Sequence, residues 1–199
     1  MNNKKYELVK NDAIKIIDNK GVKHILYGIK ALKSFNDVKK GDLGGYIEKE
    51  SNLSHEGTSW IYNNAEVFGN AIICDDAEVF GNTKVYGNTI VYGGARIYGD
   101  AIVSGNARIS GNARISGNAK VHNNAYITSD NDYFTVGPIG SRRDYTTFYK
   151  TISKRIYVRC GCFIGALDEF REQVKNTREG KIAEEYLMIA DLMEKHFEG

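Results

Sequence analysis

The sequence predicts a mainly β protein built around a parallel β-helix of six-residue repeats, and two observations predict it. Twelve consecutive hexads run through residues 59–130 without an insertion. The third residue of every hexad is Ile or Val, the first is Ala, Ser or Thr, and the sixth is Asn, Asp or Gly. Because a short unit copied at a fixed period buries its apolar face only against its neighbours, this regularity indicates a stacked solenoid.

Each hexad is expected to form a short strand followed by a corner. The small first residue and the β-branched third residue share one face of a strand, so both should point into the core. The Gly and Asn residues that follow tolerate the positive φ of a tight corner. Three hexads would form an 18-residue triangular coil, so the repeats predict about four coils and a rod on the order of 20 Å long.

Residues 1–58 are expected to form a β-rich N-terminal cap. Apolar runs at residues 6–9 and 14–17 are separated by a D-N-K-G turn signal from a further strand near residues 23–31. The open end of a solenoid exposes unpaired backbone and apolar side chains. We therefore assign this segment the task of covering the first coil.

Residues 131–199 differ in composition and predict a small C-terminal α+β domain. Strands are expected at 133–136, 145–150 and 155–159, and helices at 167–176 and 181–197. The second helix carries apolar residues at three- and four-residue spacing on one face. A hairpin or three-stranded sheet with two helices should therefore end the chain.

Two resemblances accompany this organisation. Residues 1–130 resemble the YdcK-like bacterial β-solenoid proteins in four ordered motifs: F-N-D-V at 35–38, G-G-Y at 44–46, N-L-S at 52–54 and W-I-Y at 60–62. The hexapeptide-repeat class implies a left-handed winding. The C-terminal domain resembles a tail domain of phage and prophage proteins in G-S-R at 140–142, T-T-F-Y at 146–149 and C-G-C-F at 160–163. Neither resemblance implies a reaction.

Composition narrows the classes of function. A net charge of +2 argues against bulk nucleic-acid binding, and no apolar run is long enough to predict a membrane span. Three cysteines without a secretion signal favour the cytoplasm. Cys160 and Cys162 lack a complementary ligand pair, so we expect two buried thiols and no metal site. No cofactor is expected.

One loop has the composition of an anion-binding site. A glycine loop offers backbone N–H groups, hydroxyl side chains add donors, and arginine grips phosphate or carboxylate in a bidentate manner. The residues that predict such a ligand site are Ser141, Arg142, Arg143, Tyr145, Thr146 and Thr147. The alternative is a turn whose arginines are merely solvated.

The outward residues of the solenoid suggest a partner surface on one face. Ile72, Ile90, Tyr92 and Arg108 should stack there, and exposed isoleucines beside a tyrosine predict an interface. Self-association as a trimer or dimer is one interpretation, and packing of another domain is the other. The remaining outward aromatic residues are expected to form structural ladders.

These features predict a binding protein rather than an enzyme. We expect a non-catalytic phage or prophage protein whose solenoid presents a recognition domain. It would inhibit a bacterial antiviral defence by binding a defence protein or sequestering a nucleotide signal, in the host cytosol. One alternative is an acyltransferase of the hexapeptide class with His122 as general base. Another is a structural component of the virion.

Overall fold

A computed structural model describes residues 4–198. The chain opens with strands β1 (Tyr6–Ile17), β2 (Lys23–Ala31) and β3 (Leu43–Ile47). Twelve two-residue strands follow, one in each hexad: β4 (Trp60–Ile61), β5 (Glu66–Val67), β6 (Ile72–Ile73), β7 (Glu78–Val79), β8 (Lys84–Val85), β9 (Ile90–Val91), β10 (Arg96–Ile97), β11 (Ile102–Val103), β12 (Arg108–Ile109), β13 (Arg114–Ile115), β14 (Lys120–Val121) and β15 (Tyr126–Ile127). The C-terminal domain contains β16 (Tyr133–Ile139), β17 (Asp144–Lys150), β18 (Ile156–Cys160), β19 (Phe163–Ala166), α1 (Leu167–Thr177) and α2 (Gly180–Phe197).

The twelve short strands form the three parallel faces that the hexads predict. Strands three hexads apart pair in register, as Ile73, Val91, Ile109 and Ile127 do on one face. The Ile or Val and the small residue of each hexad are buried in one continuous core. The parallel β-solenoid predicted from the sequence is therefore confirmed.

The solenoid has about five coils rather than the four that the hexads predict. Strand β3 pairs in parallel with β5, with Ile47 opposite Val67, and Leu53 forms a parallel bridge to Ile73. Residues of the expected cap therefore complete an additional, earlier coil. The sequence does not show this coil because the segment between Leu53 and Ile61 is longer than one hexad, which breaks the period.

The two corner residues of a hexad have separate tasks. The fifth residue holds the positive φ, as Gly87 does at +78° and Gly105 at +79°. The sixth residue is asparagine in many hexads because its side chain bonds to the coil above. The amide of Asn88 donates to Asn106 at 2.9 Å, and that of Asn106 donates to Asn124 at 3.3 Å. Such ladders satisfy the polar edge of the rod.

The N-terminal hairpin extends one face of the solenoid. Strands β1, β2 and β3 are antiparallel and lead into the parallel strands β5, β8, β11 and β14 of the same sheet. The rings of Tyr6 and Trp60 meet edge to face at 6.2 Å, and both side chains are buried. The hairpin thereby shields the first coil from water.

The C-terminal domain closes the other end of the rod. Its four-stranded antiparallel sheet lies between the last coil and the two helices. Tyr149 of β17 is fully buried in the solenoid core, whereas its neighbour Phe148 packs with the helices. The sheet has one strand more than the sequence predicts, because β19 is only four residues long and runs directly into α1.

Polar contacts fasten this domain to the last coil. The backbone N–H of Lys120 donates to Oγ1 of Thr147 at 3.0 Å. The carboxylate of Asp132 accepts from the backbone and hydroxyl of Thr128, both at 2.9 Å, and lies 3.6 Å from the ammonium of Lys150. Burial alone would raise the pKa of Asp132, but these hydrogen bonds and Lys150 hold it below its usual range.

Candidate functional site

Two turns at the same end of the C-terminal sheet form one side of a cleft. The β16–β17 turn contains Ser141 and Arg142, and the β18–β19 turn contains Gly161 at φ +56°. The other side is closed by Gln173 and Thr177 of α1 and by Arg178, which directly follows that helix. The enclosed volume is about 170 Å³. This is below the usual size of a site for a drug-sized ligand, so the cleft suits one flat ring system or a fragment of similar size.

The floor of the cleft is aromatic. Phe170 of α1 lies 5.6 Å from the ring of Phe163, and it meets Tyr186 of α2 edge to face at 5.8 Å. All three rings line the cavity together with Val174. Edge-to-face packing of this kind fixes the rings and leaves an apolar surface against which a flat group can pack.

The rim of the cleft is positively charged. Arg142 and Arg178 both line the cavity, and within residues 4–198 no carboxylate lies at ion-pair distance from either guanidinium. Asp144 is the acidic side chain among the lining residues, and its two oxygens lie 3.1 and 3.2 Å from the ammonium of Lys120. Asp144 is therefore already neutralised, and the cleft retains a net positive charge.

The hydroxyl of Tyr186 remains a neutral donor at physiological pH. Burial, followed by the adjacent Cys160, raises the pKa of Tyr186 to about 12. Gly140 makes room for this hydroxyl, because a Cβ at Gly140 would lie 2.1 Å from the tyrosine oxygen. A hydrogen-bond donor is thus fixed beside the β16–β17 turn.

The structure does not bring the six predicted ligand residues onto one surface. Ser141 and Arg142 line the cleft, whereas Arg143 is exposed in the same turn at φ +47° and lies outside the lining. Residues of β17 alternate between the two faces of the sheet. Tyr145 consequently borders a groove on the solenoid side, and Thr147 contacts the last coil. Thr146 is buried, and its hydroxyl has no partner within residues 4–198.

Sequence reasoning identifies Ser141 and Arg142 as ligand residues but misses most of the cleft. Tyr186 belongs to the apolar stripe of α2, which predicts a core residue, while Arg178 lies between two helices without a motif. The expectation that Cys160 and Cys162 are buried together along a strand is wrong. The positive φ of Gly161 folds them into a tight turn instead, so that Cys160 is half-buried and Cys162 exposed, and both line the cleft.

The predicted interface residues do stack on one face of the solenoid. Ile72, Ile90 and Arg108 pair in register, and Ile72 is 40% exposed while Tyr92 is half-buried. On the other two faces, outward residues form ion pairs between coils: Glu66 with Lys84 and Glu78 with Arg96, each at 2.8 Å. In the first coils, the outward residues of the face that contains Ile72 are therefore more apolar than those of the other two faces.

Within residues 4–198, His122 has no acidic partner that would orient it as a general base. Its Nδ1 lies 2.6 Å from both the backbone N and the side-chain oxygen of Asn123, so the polar contacts of this nitrogen are with the next residue along the chain. Within residues 4–198, no carboxylate bonds to the ring, and His122 does not line the cleft. The part of the chain that the structure describes also holds no cluster of three or more His, Cys, Asp or Glu side chains arranged for a metal ion.

The comparisons with known proteins find a repeat family and a curated relative. A family model described as the YdcK β-solenoid repeat matches residues 95–108 and 107–123. The last coils are similar to that repeat. A curated protein of Escherichia coli (strain K12), named "Uncharacterized acetyltransferase YdcK", is 47% identical over 49 residues. That alignment covers 24% of this chain and 15% of the relative. The residues matched by the family model do not include the C-terminal domain or its cleft.

A bilayer-spanning helix is absent from residues 4–198: neither α1 nor α2 is both long and apolar enough.

Proposed function

We propose that the chain is a non-catalytic binding protein whose C-terminal cleft takes a nucleotide-like anion. The observation that supports this most is the pairing of two arginines that have no ion-pair partner within residues 4–198 with an aromatic floor in one small cavity. Arginine binds phosphate and carboxylate in a bidentate manner and is only weakly hydrated, which suits a recessed anion site. The solenoid provides the rigid support that holds the two turns.

The chemistry of the cleft divides the ligand into two parts. A flat ring would pack on Phe163 and Phe170, and the cavity of about 170 Å³ has room for one such ring. The anionic group would remain at the rim between Arg142 and Arg178. The hydroxyls of Ser141 and Tyr186 supply neutral donors for the polar edge of the ring.

Binding of 5′-AMP tests this proposal, with isothermal titration calorimetry as the measurement. We expect saturable binding to the wild-type chain and a loss of at least tenfold in affinity for Arg142→Gln and for Arg178→Gln. A hydrogen bond to a charged group contributes about 1.5–3 kcal/mol, and about 1.4 kcal/mol is a factor of ten. Arg143→Gln is the matched control, because Arg143 belongs to the same turn but lies outside the cleft.

The pH dependence gives a second check on the same site. Because the pKa of Tyr186 is about 12, its hydroxyl stays protonated and affinity should not change through loss of that proton between about pH 7 and 10. Equal losses for Arg142→Gln and Arg143→Gln would contradict the proposal. So would an absence of saturable binding at millimolar nucleotide.

We propose that the biological role of this binding is to inhibit a bacterial antiviral defence by sequestering a nucleotide signal. The support is the chemistry of the cleft together with the resemblance of the G-S-R, T-T-F-Y and C-G-C-F motifs to phage and prophage domains. The chain could inhibit the defence in a second way, by binding a host defence protein directly. It would need a surface outside the cleft.

Acetyl transfer is the second candidate, and the name of the curated relative favours it. In this chain the reaction would need a general base, and His122 is the candidate that lies on the last coil. Turnover of acetyl-CoA that is lost in His122→Ala would establish this candidate over the binding protein. Unchanged ligand binding in His122→Ala, without turnover, is what the binding proposal predicts.

We propose in addition that the chain self-associates as a trimer or dimer through the face containing Ile72 and Ile90. Size-exclusion chromatography with light scattering should report an oligomer for the wild-type chain and a monomer for Ile72→Glu with Ile90→Glu, because a buried unpaired carboxylate is costly. Ile102→Glu is the control, since Ile102 points outward on another face between Lys84 and Lys120. A wild-type monomer would overturn this proposal.

A further inference from the structure

A second groove lies where the solenoid meets the C-terminal sheet, on the opposite face of that sheet from the cleft. The solenoid contributes Tyr98, Arg114 and Ser116, and the C-terminal sheet contributes Tyr133 and Tyr145. Its volume is about 560 Å³, which is within the usual range for small-molecule sites. We call it the junction groove.

An aromatic ladder ends at this groove. The ring of Tyr62 meets Phe80 edge to face at 6.2 Å, and Phe80 stacks on Tyr98 at 5.2 Å with an interplanar angle of 6°. Ser116 occupies the next position of the column, so no ring continues the ladder there. Tyr133 bounds the far side, with its hydroxyl 3.2 Å from the backbone N of Ser116.

The equivalent positions on the other two faces are closed. Ser104 follows Tyr86 in its column and Ser110 follows Tyr92, and these serines are 1% and 6% exposed. Ser116 is only half-buried and borders the groove. An open position beside the last ring of a ladder therefore occurs at Ser116 and at neither of its two counterparts.

An arginine without an ion-pair partner among the described residues lies two residues before Ser116, on the same strand face of the solenoid. Glu78, Arg96 and Arg114 pair in register on one face, and Glu78 is engaged by Arg96 at 2.8 Å. Arg114 has no ion-pair partner within residues 4–198. The one carboxylate that lines the groove in the described part of the chain, that of Asp130, accepts a hydrogen bond from the backbone N of Arg114 at 2.7 Å. A ligand with a flat ring and an anionic group would meet both a stacking surface and a cation here.

We infer that the junction groove binds a planar aromatic ring bearing a carboxylate or phosphate, with the ring extending the ladder on Tyr98 and the anion on Arg114. Two classes of ligand carry this combination of groups: aromatic acids and nucleotides. This site is separate from the cleft in residues and in position, so it stands whether or not the cleft binds its proposed ligand.

Titration with three probes tests the inference: indole-3-carboxylate, 5′-AMP and neutral indole. All titrations use the R142Q/R178Q double variant, so that binding in the cleft does not contribute to the measured affinity. We expect saturable binding of at least one anionic probe, at least tenfold tighter than indole. Tighter binding of 5′-AMP identifies the nucleotide source, and tighter binding of indole-3-carboxylate identifies the aromatic acid.

Substitutions locate the binding in the groove. Tyr98→Ala and Arg114→Gln should each reduce affinity about tenfold, because base-sized rings stacked on an aromatic side chain and charged contacts each contribute that much. Ser116→Tyr supplies the missing ring and should block binding while the thermal unfolding midpoint is retained. Tyr86→Ala is the control, because the position after Tyr86 is filled. No saturable binding, or equal affinity in Ser116→Tyr and the parent, would overturn the inference.

Discussion

Replacement of Tyr149 by alanine should reduce the free energy of unfolding by about 3–5 kcal/mol, the range for removing a large buried aromatic side chain. Tyr149 is fully buried, yet it belongs to β17 of the C-terminal domain and packs in the core of the solenoid. Its loss would leave a cavity at the point where the last coil is covered. We expect the C-terminal domain to become sensitive to protease before the solenoid does. Urea denaturation followed by circular dichroism measures the change.

The control for Tyr149→Ala is Ile152→Ala, in the connection that follows the same strand. Ile152 is 62% exposed, so its truncation should change stability by no more than about 0.5 kcal/mol. A loss below about 1 kcal/mol for Tyr149→Ala would mean that the sheet does not close the solenoid. The cleft would then lack its rigid support.

Replacement of Gly105 by alanine should reduce the free energy of unfolding by about 2–5 kcal/mol, the sum of a backbone and a packing contribution. Gly105 has a φ of +79°, where an L-residue costs about 1–2 kcal/mol. A Cβ there would also lie 2.6 Å from the backbone N of Asn123 in the next coil. Because that neighbour is backbone, the coils must separate locally, and overpacking of this kind adds about 1–3 kcal/mol. Guanidinium denaturation midpoints measure the difference.

Gly117→Ala is a matched control at another corner of the solenoid. Gly117 has a φ of +62°, but a Cβ added to it would meet no atom within 4 Å, because no further coil stacks there. Gly117→Ala should therefore reduce the free energy of unfolding only by the backbone contribution, about 1–2 kcal/mol. Equal losses at the two glycines would show that contact between stacked corners does not limit the side chain at this position.

The solenoid could be predicted from the sequence because its information is local and repeated. Each hexad contains the same inward pair and the same corner, so even the register of Ile72 on Ile90 follows from the period. The earlier coil could not be predicted, because Ile47 and Leu53 lie before a break in the period. Ile47 and Leu53 join the solenoid because their coil stacks on the next one, and no local sequence pattern indicates this.

The cleft was predictable only in part, since its walls come from four segments distant in sequence. Ser141 and Arg142 indicate an anion site by composition alone. Tyr186 and Arg178 reach the same cavity because the helices fold back over the sheet, which no short motif records. Tyr145 and Thr147 lie on the other face because β17 alternates, although the sequence pattern groups them with the loop.

The most direct test of the proposed function is a map of backbone amide chemical shifts during titration with 5′-AMP. The binding proposal predicts the largest shifts at Ser141, Arg142 and Gly161 and in the segment around Arg178, with none of comparable size around His122. Shifts centred on residues 120–124 together with turnover of acetyl-CoA would contradict it and support acetyl transfer. An unchanged spectrum at millimolar nucleotide would also contradict it.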